Sequence, residues 1–284
     1  MLFLSSFSFP CRDQEQTFFM CQKYTCYDSF YPFGVIDRQS TTRLSFEPVT
    51  ILYGNNGSGK TTALNVIAEK LKLQRDSLYN RSNFFEDYTA LCGYELARSL
   101  PVESRIITSD DVFDFMLNLR TINQGVDARR EDLFQDYLDS KYAKFQLSSL
   151  EDYEQLKKVN TARRTSKSRY VRENLMGNIR EHSNGENAYR YFTEKIQEQG
   201  LYLLDEPENS LSPERQLELC QFLEDSARFF GCQFIISTHS PFLLAMKGAK
   251  IYDMDERLIA EKRWTDLKNV RAYYDFFQAH QHEF

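Results

Sequence analysis

Apolar residues recur along the chain in two periods, and the alternation between them predicts the fold class. Leu2 to Phe9, Thr17 to Met20, Thr42 to Phe46 and Val49 to Tyr53 are short β-branched or aromatic runs, with the aromatic segment Tyr24 to Ile36 among them. They predict a strand-rich N-terminal segment. Pro48 stands just before the last run, where a missing N–H costs little. Thr62 to Ala68 then reads as helix, Asp76 to Asn83 as polar loop, and Phe84 to Leu100 as a helix ending before Pro101. Arg105 to Thr108 predicts a short strand, and Ser109-Asp110-Asp111 the N-cap region of a helix over Val112 to Leu119.

Beyond Thr121 the character changes. Glycines are rare, charges dense, and Leu133, Phe134, Tyr137 and Leu138, then Leu150, Tyr153 and Leu156, fall at helical spacing. The strand–helix alternation returns with strands Leu201 to Leu204 and Gln233 to Ser237. Between them Pro213 to Phe230 is a helix, with Ser212 as its N-cap. The expected fold is therefore α/β, with a mostly parallel central sheet, a β-rich N-terminal segment and a helical insertion. Residues 1–120 and 181–284 are expected to form one domain, and 121–180 the insertion.

The phosphate chemistry is most legible at Gly54 to Thr61, GNNGSGKT, between the strand Val49 to Tyr53 and the helix read over Thr62 to Ala68. This is G-x-x-x-x-G-K-[ST] in the strand–loop–helix setting that a P-loop requires, so the expected fold is a P-loop NTPase with 1–120 and 181–284 as its nucleotide-binding domain. Gly54, Gly57 and Gly59 permit backbone conformations closed to other residues. Successive amides of Asn55, Asn56, Gly57, Ser58 and Gly59 can then turn toward a polyphosphate at the positive end of the helix. Lys60 is placed for the β- and γ-phosphates, Thr61 for Mg²⁺ and Thr62 for the α-phosphate.

Two later runs repeat the logic of a buried strand ending in polar side chains. Leu201 to Leu204 ends in Asp205-Glu206-Pro207-Glu208, which predicts Asp205 as a metal-holding carboxylate and Glu206 as the group that orients or deprotonates a water. Gln233 to Ser237 ends in Thr238-His239-Ser240, which brings His239 toward the same edge, where a neutral imidazole could bond the γ-phosphate. Tyr27, Tyr31 and Phe33 are aromatic candidates for stacking on a base, or for the core.

Charge narrows the class. Acidic residues number 41 and basic residues 35, so the chain as a whole is not a basic nucleic-acid binder. Residues 127–155 carry eight acidic and four basic side chains, whereas 156–172 carry Lys157, Lys158, Arg163, Arg164, Lys167, Arg169 and Arg172 with no acid. That stretch is a candidate arm for an acidic partner or nucleic acid, or a solvated loop. The six cysteines show no metal or disulfide spacing. No apolar run reaches the length of a membrane span, which predicts a cytoplasmic protein.

The order GNNGSGKT, Ser183-Asn184-Gly185-Glu186, LYLLDEPE and STHS resembles the ABC-type, SMC-like ATPase core. It is closer to the soluble stand-alone predicted ATPases of bacteria, of the AAA family in the broad sense, than to transporter subunits. The resemblance implies an ATP-sandwiched homodimer, in which Ser183 and Gly185 bind the γ-phosphate held by a second subunit and Asn209 to Ser212 touch that subunit. It also implies that His239 is the switch histidine. The usual glutamine near the metal is not visible, and Ser109-Asp110 stands in its place. The readings carried forward are a Mg²⁺-dependent ATPase, the energy subunit of a DNA-repair, anti-phage defence or membrane transport complex, and a small-molecule P-loop kinase.

Overall fold

The computed structural model describes residues 1–22, 26–36, 43–142, 153–175, 184–256 and 259–284. The chain divides into two compact units, Met1–Asp114 with Ser183–Phe284, and Phe115–His182.

The first unit is built on a six-stranded sheet. Its strands are β3 (Val49–Tyr53), β5 (Arg105–Thr108), β6 (Leu201–Asp205), β7 (Gln233–Ser237), β8 (Lys250–Asp253) and β9 (Ala260–Glu261), in the order β5-β6-β7-β3-β8-β9. All pairs are parallel except β8 with β9. Every residue of β3, β6 and β7 is buried, as a sheet covered on both faces demands. A second, antiparallel sheet has the order β2-β1-β4, from Arg43–Ser45, Leu4–Ser8 and Gly93–Leu96. Gln233 joins the sheets. Fully buried, it accepts from the N–H groups of Phe3 and Leu4 (2.7 and 2.9 Å) and donates to Leu4 O (2.8 Å).

Around these strands run α1 (Arg12–Cys21), α2 (Lys60–Leu71), α3 (Phe85–Leu91), α4 (Ser109–Tyr142), α7 (Asn184–Lys195), α8 (Pro213–Phe229), α9 (Pro241–Leu244) and α10 (Lys268–Ala279). Helices α5 (Tyr153–Arg164) and α6 (Lys167–Asn174) belong to the second unit, into which α4 continues. There Leu133, Tyr137, Ala162, Tyr170 and Val171 form a small core. The basic stretch is therefore helical rather than a solvated loop. Within it, Arg169 pairs with Glu173 (2.8 Å) and Lys167 lies 4.2 Å from the ring centroid of Phe134, while Lys157, Lys158 and Arg164 are exposed.

Three expected elements differ. Thr17 to Met20 is helical, not a strand: the Gln14 side chain accepts from Cys11 N–H at the start of α1, and Phe18 stacks on Phe33 at 4.2 Å. Tertiary packing overrides the β-preference of that run. The helix expected over Phe84 to Leu100 stops at Leu91, because Gly93–Leu96 is claimed by β1 as an edge partner. The helix expected over Val112 to Leu119 is the 34-residue α4, and its start is fixed by Thr108. Thr108 Oγ1 accepts from Asp111 N–H while Asp111 Oδ2 accepts from Thr108 N–H, a reciprocal cap one residue earlier than expected. The β-rich N-terminal segment is thus a strand, a helix and a strand among the described residues.

Gln233→Leu leaves two buried N–H groups without an acceptor and is expected to cost about 3 kcal/mol of stability. Urea unfolding of the two proteins, compared at equal slope, measures it.

Candidate nucleotide-binding site

The P-loop is shaped by contacts within the chain. A Cβ on Gly54 would stand 2.5 Å from Ser58 Oγ and 3.2 Å from Asp255 Oδ1, so only glycine fits there. Gly57 and Gly59 hold φ of +84° and +93°, left-handed conformations that glycine adopts without strain. Asp255, just beyond β8, accepts from Asn55 N–H (2.9 and 3.1 Å) and from its side-chain amide (2.8 Å), pinning the loop's entry. Lys60 is 4% exposed and folds back over the loop, donating to the carbonyls of Gly54 (2.7 Å) and Asn55 (3.1 Å). Thr62 shares a hydrogen bond with Tyr31 OH (3.1 Å).

The end of β6 meets this loop. Thr61 Oγ1 donates to Asp205 Oδ1 (3.1 Å), and Ser237 Oγ, opposite Asp205 in the parallel register, donates to the same oxygen. Burial pushes the Asp205 carboxyl above its ordinary pKa, and these two donors partly oppose that shift. Thr61 and Asp205 are hard oxygen donors of the kind Mg²⁺ takes in small number beside substrate phosphates. Among the described residues no group of three or more carboxylates, histidines or cysteines could hold a metal ion.

Glu206 follows with φ +47° and ψ +56°, a left-handed conformation uncommon for a residue with a side chain. Its N–H donates to Ser237 O (3.0 Å), and its carboxylate lies 3.7 Å from Lys60 Nζ and 3.8 Å from His239 Nδ1. Asn209 Nδ2 donates to its other oxygen (3.0 Å). Glu208 is buried and holds the next turn of chain: its Oε1 accepts from Thr238 Oγ1 (2.6 Å) and from the N–H groups of His239 (3.0 Å) and Ser240 (3.2 Å). Asn269, on α10, donates from its side chain to His239 O (2.6 Å).

Lys60, Thr61, Asp205, Glu206 and His239 are thus brought to one edge of the sheet. Asn56 is exposed at the loop's tip. Ser183 lies outside the described residues. Gly185 sits in the first turn of α7, where the three atoms nearest to a Cβ built on it are Ser210 O, Arg215 Cγ and Ser212 N, not atoms of the P-loop. At the start of α4 the buried carboxylate is Asp111, and Asp110 is exposed. Phe33 is core, packed on Phe18 and Tyr88, while Tyr31 reaches α2. Sequence reasoning missed Ser237, Glu208, Asp255 and Asn269 as parts of the site. Pairing the two buried strands in parallel would have found Ser237, because it falls opposite Asp205.

A family model described as ABC transporter matches residues 39–209, and one described as AAA ATPase domain matches residues 179–244. No curated protein matches the chain. Among solved structures it is similar to the Smc head domain of Pyrococcus furiosus, with an extended coiled coil and bound to the C-terminal domain of ScpA. The identity is 12% over 86% of this chain and 96% of that one, with a TM-score of 0.42. It is also similar to a dimeric ATP-binding cassette in a post-hydrolysis state, bound to ADP and Pi: 14% identity, 79% and 90% coverage, TM-score 0.35. No helix among the described residues is long and apolar enough to cross a membrane.

The raised pKa of Asp205 has a consequence for stability. A carboxyl that binds its proton more readily folded than unfolded favours the fold below its unfolded pKa and loses that contribution as pH rises through its folded pKa. Asp205→Asn is therefore expected to raise the melting temperature of the nucleotide-free protein at neutral pH. The difference from wild type should shrink as pH falls through the Asp205 titration, and thermal melts across pH check it.

Proposed function

The chain belongs to the ABC transporter family, whose members bind and hydrolyse ATP, and on that premise we propose that it hydrolyses MgATP at a site completed by a second copy of itself. The observation that carries the reading is the Glu206 carboxylate standing 3.7 Å from Lys60 and 3.8 Å from His239, two residues remote from it in sequence, beside the Thr61–Asp205 hydrogen bond. In this reading the amides of residues 54–59 cradle the phosphates, Lys60 turns from its loop carbonyls to the β- and γ-phosphates, and Thr62 meets the α-phosphate. Thr61 and Asp205 would hold Mg²⁺, which when bound would neutralise phosphate charge.

Glu206 accepts a proton from the attacking water as the water oxygen bonds to the γ-phosphorus and the bond to the bridging β–γ oxygen breaks, leaving on ADP. Asn209 and Lys60 fix the direction of that carboxylate. His239 donates to the γ-phosphate, and its position is set by Glu208 on its N–H and Asn269 on its carbonyl. Ser183 and Gly185 of the second copy close the site. Residues 1–120 with 181–284 act as the nucleotide-binding domain. The helical insertion 121–180, with Lys157, Lys158 and Arg164 exposed, is the surface through which turnover acts on an acidic partner or nucleic acid.

Phosphate release from MgATP, measured per mole of protein, is expected to rise with protein concentration. Glu206→Gln should lower it by about a hundredfold or more while ATP binding persists and an ATP-dependent dimer sediments. Ser183→Arg should abolish both dimer and turnover. Turnover that is independent of concentration, or unchanged in Glu206→Gln, overturns the reading.

A further inference from the structure

Residues 30–36 are laid against the start of α2 at two points. Tyr31 OH stands 3.1 Å from Thr62 Oγ1. Val35 closes over Gly59, where an added Cβ would lie 3.2 Å from Val35 Cγ1 and 3.6 Å from Val35 O. Gly59 and Thr62 bracket Lys60 and Thr61, so this segment touches both ends of the stretch that meets phosphate and metal in the reading above.

The segment is itself held from behind. Ser82 Oγ donates to Tyr31 O, and Gly34 N–H donates to Oε2 of the buried Glu15 (3.0 Å). Phe33 stacks on Phe18 and meets Tyr88 edge-on, and the ring of Tyr31 packs toward Phe85 of α3, with centroids 6.0 Å apart. The aromatic rings are spent on this packing. What Tyr31 presents to α2 is its hydroxyl.

A threonine hydroxyl has one proton to give. Within a helix it can turn that proton to a carbonyl of the preceding turn, or it can keep it for a ligand. A phenol at neutral pH holds its own proton and can donate it to the threonine oxygen, and such a bond strengthens the second hydroxyl as a donor. We propose that Tyr31 is a positioning residue for the α-phosphate: it donates to Thr62 Oγ1, fixes the Thr62 rotamer, and leaves the Thr62 proton for a non-bridging α-oxygen. The inference rests on the role given to Thr62 above, and Tyr31 acts through that residue. ATP and ADP share the α-phosphate. Tyr31 therefore supports both nucleotides equally, unlike Glu206 and His239, which answer to the γ-phosphate.

Calorimetric titration with ADP, ATP and the two α-thio epimers of ADP, all with Mg²⁺, tests this without reference to turnover. Sulfur accepts hydrogen bonds poorly, so an epimer with sulfur facing Thr62 loses that bond. In wild type, one epimer is expected to bind at least about threefold weaker than ADP. Tyr31→Phe keeps the packed ring and removes only the hydroxyl. It should weaken ADP and ATP alike, by about threefold to tenfold, and the penalty for the thio epimer should shrink toward none. Thr62→Val should do the same, Thr62→Ser should bind as wild type, and Tyr31→Phe added to Thr62→Val should cost nothing more. Undiminished ADP affinity in Tyr31→Phe, with Thr62→Val weakened, overturns the positioning and leaves the reading of Thr62 standing. Undiminished affinity in Thr62→Val overturns both. A loss in Tyr31→Phe that is confined to ATP, that adds in full to the loss in Thr62→Val, or that keeps the wild-type thio penalty also overturns the positioning, the last two marking Tyr31 as support for the fold alone.

Discussion

The hydrogen bond from Thr61 to Asp205 joins residues 144 positions apart and sets the level at which the whole central sheet must end. Thr61 lies in the first turn of α2, so the bond fixes where the P-loop finishes relative to β6. It forms because β5, β6 and β7 stop at one level and β3 one residue beyond it: Thr108 lies opposite Asp205, Asp205 opposite Ser237, and Ser237 opposite Leu52. A slip of one residue in any of these pairings would turn Asp205 or Ser237 to the other face and bring an apolar side chain to the phosphate edge. The continuous burial of β3, β6 and β7 specifies the sheet's interior, and the polar residues at the strand ends specify its register.

How much of this is legible in the sequence depends on where the deciding interaction lies. The P-loop, β6 and β7 are local patterns, in which a run of apolar residues meets glycines, carboxylates or hydroxyls within a few positions. They can be read directly, as can the start of α8 at Ser212-Pro213. The run Thr17 to Met20 was misleading because its aromatics serve a cluster with Phe30, Phe33 and Phe84 rather than a ladder. Gly93–Leu96 carries helical spacing by chance and is decided by β1, some ninety residues earlier in the chain. The supporting shell is the least legible part. Asp255 and Asn269 reach the P-loop and His239 from elements after β7, and no spacing in the sequence links them.

The start of α4 shows how far a local cap can act. Thr108 is the last residue of β5 and also the cap of α4, and its neighbour across the sheet is Asp205. The helix that carries the chain into the second unit therefore begins at the level of the phosphate edge, with Asp111 buried and Asp110 outward.

Three carboxylates within four residues have three different surroundings, and the backbone is what separates them. Asp205 ends a strand and is buried between two hydroxyl donors. Glu208 follows Pro207 in a 3-10 turn and is spent holding the Thr238–Ser240 backbone. Glu206, between them, would in an extended conformation continue the strand's alternation and point away from Asp205. The left-handed turn at φ +47°, which costs on the order of 1 kcal/mol for a residue with a Cβ, instead leaves its carboxylate within reach of both Lys60 and His239. A glycine would adopt that turn without cost and would supply no carboxylate. The turn is held there by the N–H of Glu206 on Ser237 O and by Asn209 on its side chain.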